Sequence, residues 1–143
     1  MDLGLQGKKA IIVGGARGIG FEVARLLARE GCDVALCARS SDAVKEAVAE
    51  LRKYDTNVFG GAVDVRKADK YKAWVQSADE KLGGCDILVP ISSAGSGMGS
   101  EKYWDNAYQT DLMGPVRAVE AVLPGMTERQ SGSIVLIATT SAL

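Results

Sequence analysis

The chain has 143 residues, of which 47% are apolar, and its 17 Lys and Arg face 18 Asp and Glu for a net charge of −1. That length and apolar content give a single folded domain over residues 1–143 and exclude a disordered chain. The charge balance leaves no basic face for nucleic acid, and no apolar run is long enough to span a membrane. The absence of histidine removes Ser-His-Asp, Cys-His and histidine-metal chemistry from these residues.

In chain order, residues 10–13 read as a short buried strand that runs into a glycine-rich turn. Gly14, Gly18 and Gly20 stand in a G-x-x-x-G-x-G spacing. Gly14 can adopt the backbone angles of a sharp exit from the strand. Gly18 leaves room for a bulky anion at the backbone, and Gly20 lets the next helix pack close. The free N–H groups and positive dipole end of that helix are a seat for a pyrophosphate. An apolar strand before the triplet and an amphipathic helix after it turn a weak motif into a nucleotide-binding signal.

Residues 21–30 are predicted helical, with Val23, Leu26 and Leu27 on one face and Gly31 as a stop. Residues 33–38 form a second strand. Ser41 is the expected N-cap of a helix to about residue 53, with Val44, Ala47, Val48 and Leu51 inward. A third strand is expected over 57–63, a helix over 67–82 and a fourth strand over 86–91, where Pro90 removes one backbone donor. A polar loop over 92–100 leads to helical segments over 101–129, and a fifth strand is expected over 133–139. This alternation predicts right-handed βαβ units and a parallel sheet covered on both faces. Cys32, Cys37 and Cys85 form no C-x-x-C, which reads as reduced thiols in a cytoplasmic protein, and no metal site is expected.

Several of these stretches together resemble one family. They are Gly14-x-x-x-Gly18-Ile19-Gly20 after strand one, Asp64-Val65 after strand three and Ser92-Ser93-Ala94-Gly95 after strand four. Leu123-Pro124-Gly125-Met126 closes the long helix, and strand five has a polar end. The chain resembles the N-terminal part of a short-chain dehydrogenase/reductase, in particular the 3-oxoacyl-carrier-protein-reductase-like group, over nearly its whole length. The resemblance implies a three-layer, Rossmann-type, doubly wound α/β fold with strand order 3-2-1-4-5 and oxidoreduction between a carbonyl and an alcohol. The family's C-terminal strands and helices are absent from these residues.

Residue by residue, the resemblance implies that Gly14, Gly18, Ile19 and Gly20 hold the dinucleotide pyrophosphate. It sets Asp64 and Val65 beside the adenine and Ala94 and Gly95 along the ribose and nicotinamide. Thr139 falls where the family has its catalytic serine, with Ser141 as the fallback. Asp111 falls where a helix asparagine supports the proton relay. The departures are Val13 for a threonine, Ser92 and Ser93 for two asparagines, and Asp111, which when ionised accepts hydrogen bonds without donating them.

The largest departure is that no Tyr-x-x-x-Lys, the family's acid/base pair, occurs in these residues; Tyr54, Tyr71, Tyr103 and Tyr108 all lack the lysine. The chain is therefore expected to be the N-terminal part of a longer protein and not a self-sufficient enzyme, with strand five as an open apolar edge. At the end of strand two, NAD-specific members carry an acid; here Ala38 and then Arg39 stand there, and Arg17 can approach the same corner. A ribose phosphate suits arginine forks, so NADP is favoured over NAD, although an arginine at position 17 is compatible with both.

Three alternatives differ in the residues they require. A methyltransferase would need an acid where Arg39 stands, and a P-loop hydrolase needs Gly-Lys-Ser/Thr at the turn. A catalytically inactive NADP-binding module shares every cofactor feature and stays open. A homo-oligomer is expected, with the helix through Leu112, Val116, Val119 and Leu123 as a candidate packing surface.

Overall fold

The computed structural model of the chain describes residues 1–95 and 99–138. Its elements alternate as the sequence predicts: β1 (Lys9–Val13), α1 (Gly18–Arg29), β2 (Asp33–Ala38), α2 (Ser41–Leu51), β3 (Val58–Ala62), α3 (Ala68–Leu82) and β4 (Ile87–Pro90). Then come α4 (Glu101–Ala107), α5 (Met113–Arg129) and β5 (Ser133–Ile134). A 3-10 turn over Arg52–Tyr54 follows α2, and a π-helical turn over Tyr108–Leu112 joins α4 to α5. All strand pairs are parallel, in the order β3-β2-β1-β4-β5. This is the three-layer, doubly wound order expected of a Rossmann-type sheet.

Because β1 is central and covered on both sides, it is a continuous apolar run rather than an alternating one. Ile11 and Val13 face a layer built by α3 and α5, with Tyr71, Val75, Ala118 and Val122. Ala10 and Ile12 face the layer of α1 and α2, with Ala24, Ala28, Val44 and Leu51. Tyr71 is fully buried, and its hydroxyl donates 2.8 Å to the Gly114 carbonyl, which ties α3 to the start of α5.

Several local expectations are corrected. Of Val23, Leu26 and Leu27, Val23 and Leu27 are half-buried and pack against the core while Leu26 is exposed, and the fully buried positions of α1 are the small residues Gly20, Ala24 and Ala28. The helix approaches the turn so closely that a Cβ on Gly20 would stand 2.0 Å from the Gly14 carbonyl oxygen, so only small residues fit beneath it. The cap of α2 is Ser40, whose Oγ accepts from the Ala43 N–H at 3.2 Å, and Ser41 is already helical. In β3 the pair Gly60-Gly61 makes room for Val44 and Trp74, whose atoms would lie 2.6 and 2.2 Å from added Cβ atoms.

Strand five is the shortest. Ser133 and Ile134 pair with Ile87 and Leu88, and Val135 N–H still donates to the Leu88 carbonyl at 2.9 Å. In a parallel ladder the next rung would come from the N–H of residue 90, and Pro90 has none. The strand expected over 133–139 therefore stops early; its last residue, Thr139, lies outside the described residues, as does Ser141. Val135, Leu136 and Ile137 are about half exposed (48%, 58% and 55%). No described helix is long and apolar enough to cross a membrane.

Candidate dinucleotide site

At the C-terminal ends of the strands a cavity of about 370 Å³ opens where the chain order switches direction between β1 and β4. This is the place at which an open parallel sheet presents a ligand crevice. The glycine turn forms its floor. Gly14 has φ +79°, and a Cβ there would lie 2.9 Å from the Ser92 backbone, so the turn needs glycine on both counts. The N–H groups of Gly14 and Gly15 both donate to the Cys37 carbonyl, at 2.9 and 3.1 Å, which locks the turn to the end of β2. Gly18 has φ +55° with no atom within 4 Å of an added Cβ, so the space before it is open. It is the first residue of α1, whose unsatisfied N–H groups face that space. Ile19 is exposed beside it.

The walls gather most of the residues expected from the sequence. Gly14, Arg17, Arg39, Asp64, Val65 and Ala94 line the cavity together. Gly18, Ile19, Gly20 and Gly95 belong to adjoining turns rather than to that lining. Arg17 and Arg39 flank the end of β2, and among the described residues neither forms an ion pair. The Asp64 carboxylate is paired instead with Arg66, at 2.8 Å from Nη2. That guanidinium, helped by the Arg66 backbone N–H and the charge of Arg39, holds the Asp64 carboxyl below the usual aspartate range although partial burial pulls it up.

Asp111 does not line the cavity; it sits in the π-helical turn between α4 and α5 and accepts from the N–H of the lining residue Ala94 at 2.8 Å. Such turns frequently mark functional sites, because the extra residue re-aims a side chain. The carboxylate fixes the loop after β4 through acceptance alone. Ser93 Oγ accepts from the Gly95 N–H at 3.1 Å, and Tyr103 donates from its hydroxyl to the Gly95 carbonyl at 3.0 Å. Ser92 Oγ is buried without a hydrogen-bond partner among the described residues.

Sequence reasoning passed over Arg66, Asn106 and Thr110, which also line the cavity. Arg66 reaches across 40 residues to Asn106, its Nη1 donating to Oδ1 at 3.2 Å, and nothing local in the sequence marks that contact. Cys37 lines the cavity too, but burial pushes its thiol up to about 12, so it is a neutral wall and not a nucleophile. Among the described residues no group of three or more Cys, Asp or Glu is placed to hold a metal.

A glycine turn on a helix N-terminus at the switch point of a parallel sheet defines a dinucleotide-binding α/β protein. Comparison with known proteins narrows the class. The family model described as "short chain dehydrogenase" matches residues 8–143, and the chain belongs to that family. Dehydrogenase/reductase SDR family member 4 of Homo sapiens is 33% identical over 143 residues, covering 96% of this chain and 51% of that protein. Among solved structures, L-sorbose reductase from Gluconobacter frateurii complexed with NADPH and L-sorbose superposes with a TM-score of 0.88 at 35% identity, over 94% of this chain and 53% of that one. An actinorhodin polyketide ketoreductase with NADPH gives 0.88 at 34% identity, over 94% and 54%. The chain thus spans about half the length of these relatives.

Proposed function

We propose that residues 1–143 form the dinucleotide-binding unit of an NADP(H)-dependent oxidoreductase acting on a carbonyl/alcohol pair. The observation that carries the choice of cofactor is the arginine pair at the end of β2. Arg17 and Arg39 line the cavity where NAD-specific members place an acid, and the only carboxylate in that lining among the described residues, Asp64, is already paired with Arg66. The cavity therefore offers two positive side chains to an anion, and a ribose phosphate carries close to two negative charges. The NADPH bound by the sorbose reductase and the ketoreductase supports the same reading.

In this reading the α1 N-terminus and the turn at Gly14, Gly18, Ile19 and Gly20 hold the pyrophosphate. Arg39 and Arg17 hold the ribose phosphate, and Val65 packs at the base end. Ala94 and Gly95 form the wall beside the nicotinamide, with Asp111 fixing Ala94 in place. The nicotinamide, when bound, supplies the hydride acceptor or donor. Thr139, or Ser141 in its stead, takes the role of holding the substrate oxygen. No Tyr-x-x-x-Lys stands in these residues to exchange the proton, so binding and not turnover is the appropriate test of this chain.

Calorimetric titration with NADPH and NADH decides the cofactor. NADPH is expected to bind more tightly. Each charged hydrogen bond is worth about 1.5–3 kcal/mol, so Arg39→Asp should weaken NADPH roughly tenfold to a hundredfold without weakening NADH. Equal affinities in the unsubstituted chain, or tighter NADH, would overturn the assignment.

A further inference from the structure

The base end of the cavity has two walls that come from distant parts of the chain. Asp64, Val65 and Arg66 follow β3, and Asn106 stands in α4. Arg66 touches both walls. Its Nε donates to Asp64 Oδ1 at 3.0 Å and its Nη2 to Oδ2 at 2.8 Å, a side-on pair in which two parallel N–H bonds meet both carboxylate oxygens. The Arg66 backbone N–H also donates to Oδ1, at 3.0 Å. From the opposite edge of the guanidinium, Nη1 donates to Asn106 Oδ1 at 3.2 Å. Arg66 thus brings its backbone N–H, Nε–H and one Nη2–H to a carboxylate with about four lone-pair positions. The Asp64 side chain is 23% exposed. The carboxylate is held in place and is still open to a further donor.

A guanidinium is planar, so holding both of its edges holds its plane. Asp64 and Arg66 alone would move as one piece with the loop after β3. Asn106, 40 residues further on, gives that piece a reference outside the loop. The link serves α4 as well, because that helix has no buried residue. Among the described residues two side-chain hydrogen bonds join α4 to the loops around it, Arg66 to Asn106 and the Tyr103 hydroxyl to the Gly95 carbonyl. Resting on the dinucleotide reading above, we infer that Arg66 and Asn106 are positioning residues for the base. They aim the open side of the Asp64 carboxylate at the exocyclic amine of adenine and so make the cavity selective for that base. A carboxylate held there accepts from the amine and repels a carbonyl oxygen at the same ring position. A carboxylate free to turn aside avoids the carbonyl oxygen, and the preference is lost. Asn106 acts on the base through Arg66.

The test is calorimetric titration of the chain with NADP⁺ and with its deamino analogue, which carries hypoxanthine in place of adenine. The unsubstituted chain is expected to prefer NADP⁺ by at least about tenfold, the worth of one charged hydrogen bond; a smaller preference would overturn the inference. Asn106→Ala leaves the Asp64–Arg66 pair in the chain and should reduce that preference by about threefold or more. Asn106→Asp keeps an acceptor for Nη1 and should retain the preference. Arg66→Lys keeps the charge beside Asp64 without a fork that spans both partners. It should lose the preference as Asn106→Ala does, and it decides if Asn106→Ala fails to fold. A folded Asn106→Ala that weakens both dinucleotides by the same factor, as a merely structural contact would, overturns the inference, and so does an Asn106→Asp that loses as much preference as the alanine variant. Binding of neither dinucleotide to the unsubstituted chain would remove the cofactor reading itself, and so is distinguishable from a wrong choice of positioning residues.

Discussion

Two hollows lie at opposite ends of the same sheet, and the smaller is the one proposed to take the cofactor. The hollow at the C-terminal ends of the strands measures about 370 Å³, and the one at the N-terminal ends about 600 Å³. Both are lined by charged residues. In the larger hollow the cations already have partners. Lys9 Nζ lies 2.8 Å from Asp33, which also accepts from the Asn57 N–H at 3.0 Å. Arg52 donates to the Val58 carbonyl, and Lys81 Nζ lies 4.4 Å from the centre of the Phe59 ring. In the smaller hollow a helix N-terminus, a turn that needs glycine, and Arg17 and Arg39 converge on open space. Volume records where packing stops, whereas groups oriented toward an absent partner record what the space is for.

The hardest way to break this contrast is to fill the turn. Gly18→Val is expected to abolish NADPH binding, with a loss beyond a hundredfold, because the side chain would project into the open space above the α1 N-terminus. The positive φ at Gly18 adds backbone strain of about 1 kcal/mol or more, yet no atom lies within 4 Å to clash with an added Cβ, so the far-ultraviolet circular dichroism should survive. Gly20→Val should differ, since its Cβ meets the Gly14 carbonyl at 2.0 Å and the fold itself must shift. Unchanged affinity in a folded Gly18→Val would mean that the pyrophosphate seat lies elsewhere.

What the sequence revealed about this site follows from range. The glycine turn, the strand order and the placement of Arg17 in that turn and Arg39 just after β2 were legible because each depends on neighbours in the chain or on the family pattern. Arg66 was not, because its meaning comes from Asn106, which only the fold brings near. The cap of α2 was misplaced by one residue because two adjacent serines carry the same signal and only backbone angles separate them; Ser40 is extended and Ser41 helical. Strand five was read too long because its apolar run was judged alone. Its length depends on a donor that Pro90, in another strand, does not have. On α1 the reading held for Val23 and Leu27 and failed for Leu26, and it passed over Ala24 and Ala28, because Gly20's close approach puts small residues at the most buried positions.

Acid offers a milder probe of both hollows at once. The Asp64 carboxyl is held low first by Arg66. That of Asp33 is held low by Lys9 and Asn57 against the opposing pull of burial. A carboxyl with a lowered native value contributes stability that is complete above its unfolded value of about 3.9 and is lost as pH falls through the native value. Native stability is therefore expected to be flat with respect to these two groups near neutrality and to fall in the acid limb below about pH 4. Arg66→Ala should lower stability near neutrality and make that limb shallower, by letting Asp64 return toward its ordinary value, while the pH at which the limb begins stays where the unfolded value sets it. Urea unfolding followed by circular dichroism over a series of pH values tests this, and an unchanged slope would show that the pair contributes no measurable linkage.

The smallest effect is expected in the larger hollow, and its smallness is the point. Asp33→Asn keeps the shape and leaves an oxygen to accept from the Asn57 N–H, while removing the charge that faces Lys9. Partly exposed ion pairs of this kind contribute about 0–1 kcal/mol, so thermal or urea unfolding should show a loss no larger than that. NADPH affinity should be unchanged, because Asp33 opens β2 and the cofactor cavity lies past its other end at Arg39. If the N-terminal hollow were a ligand site, the same substitution would alter a binding isotherm more than the unfolding curve. A shift in NADPH affinity of more than about threefold, without a matching loss of stability, would mean that the two ends of the sheet are coupled and that the contrast drawn between them is wrong.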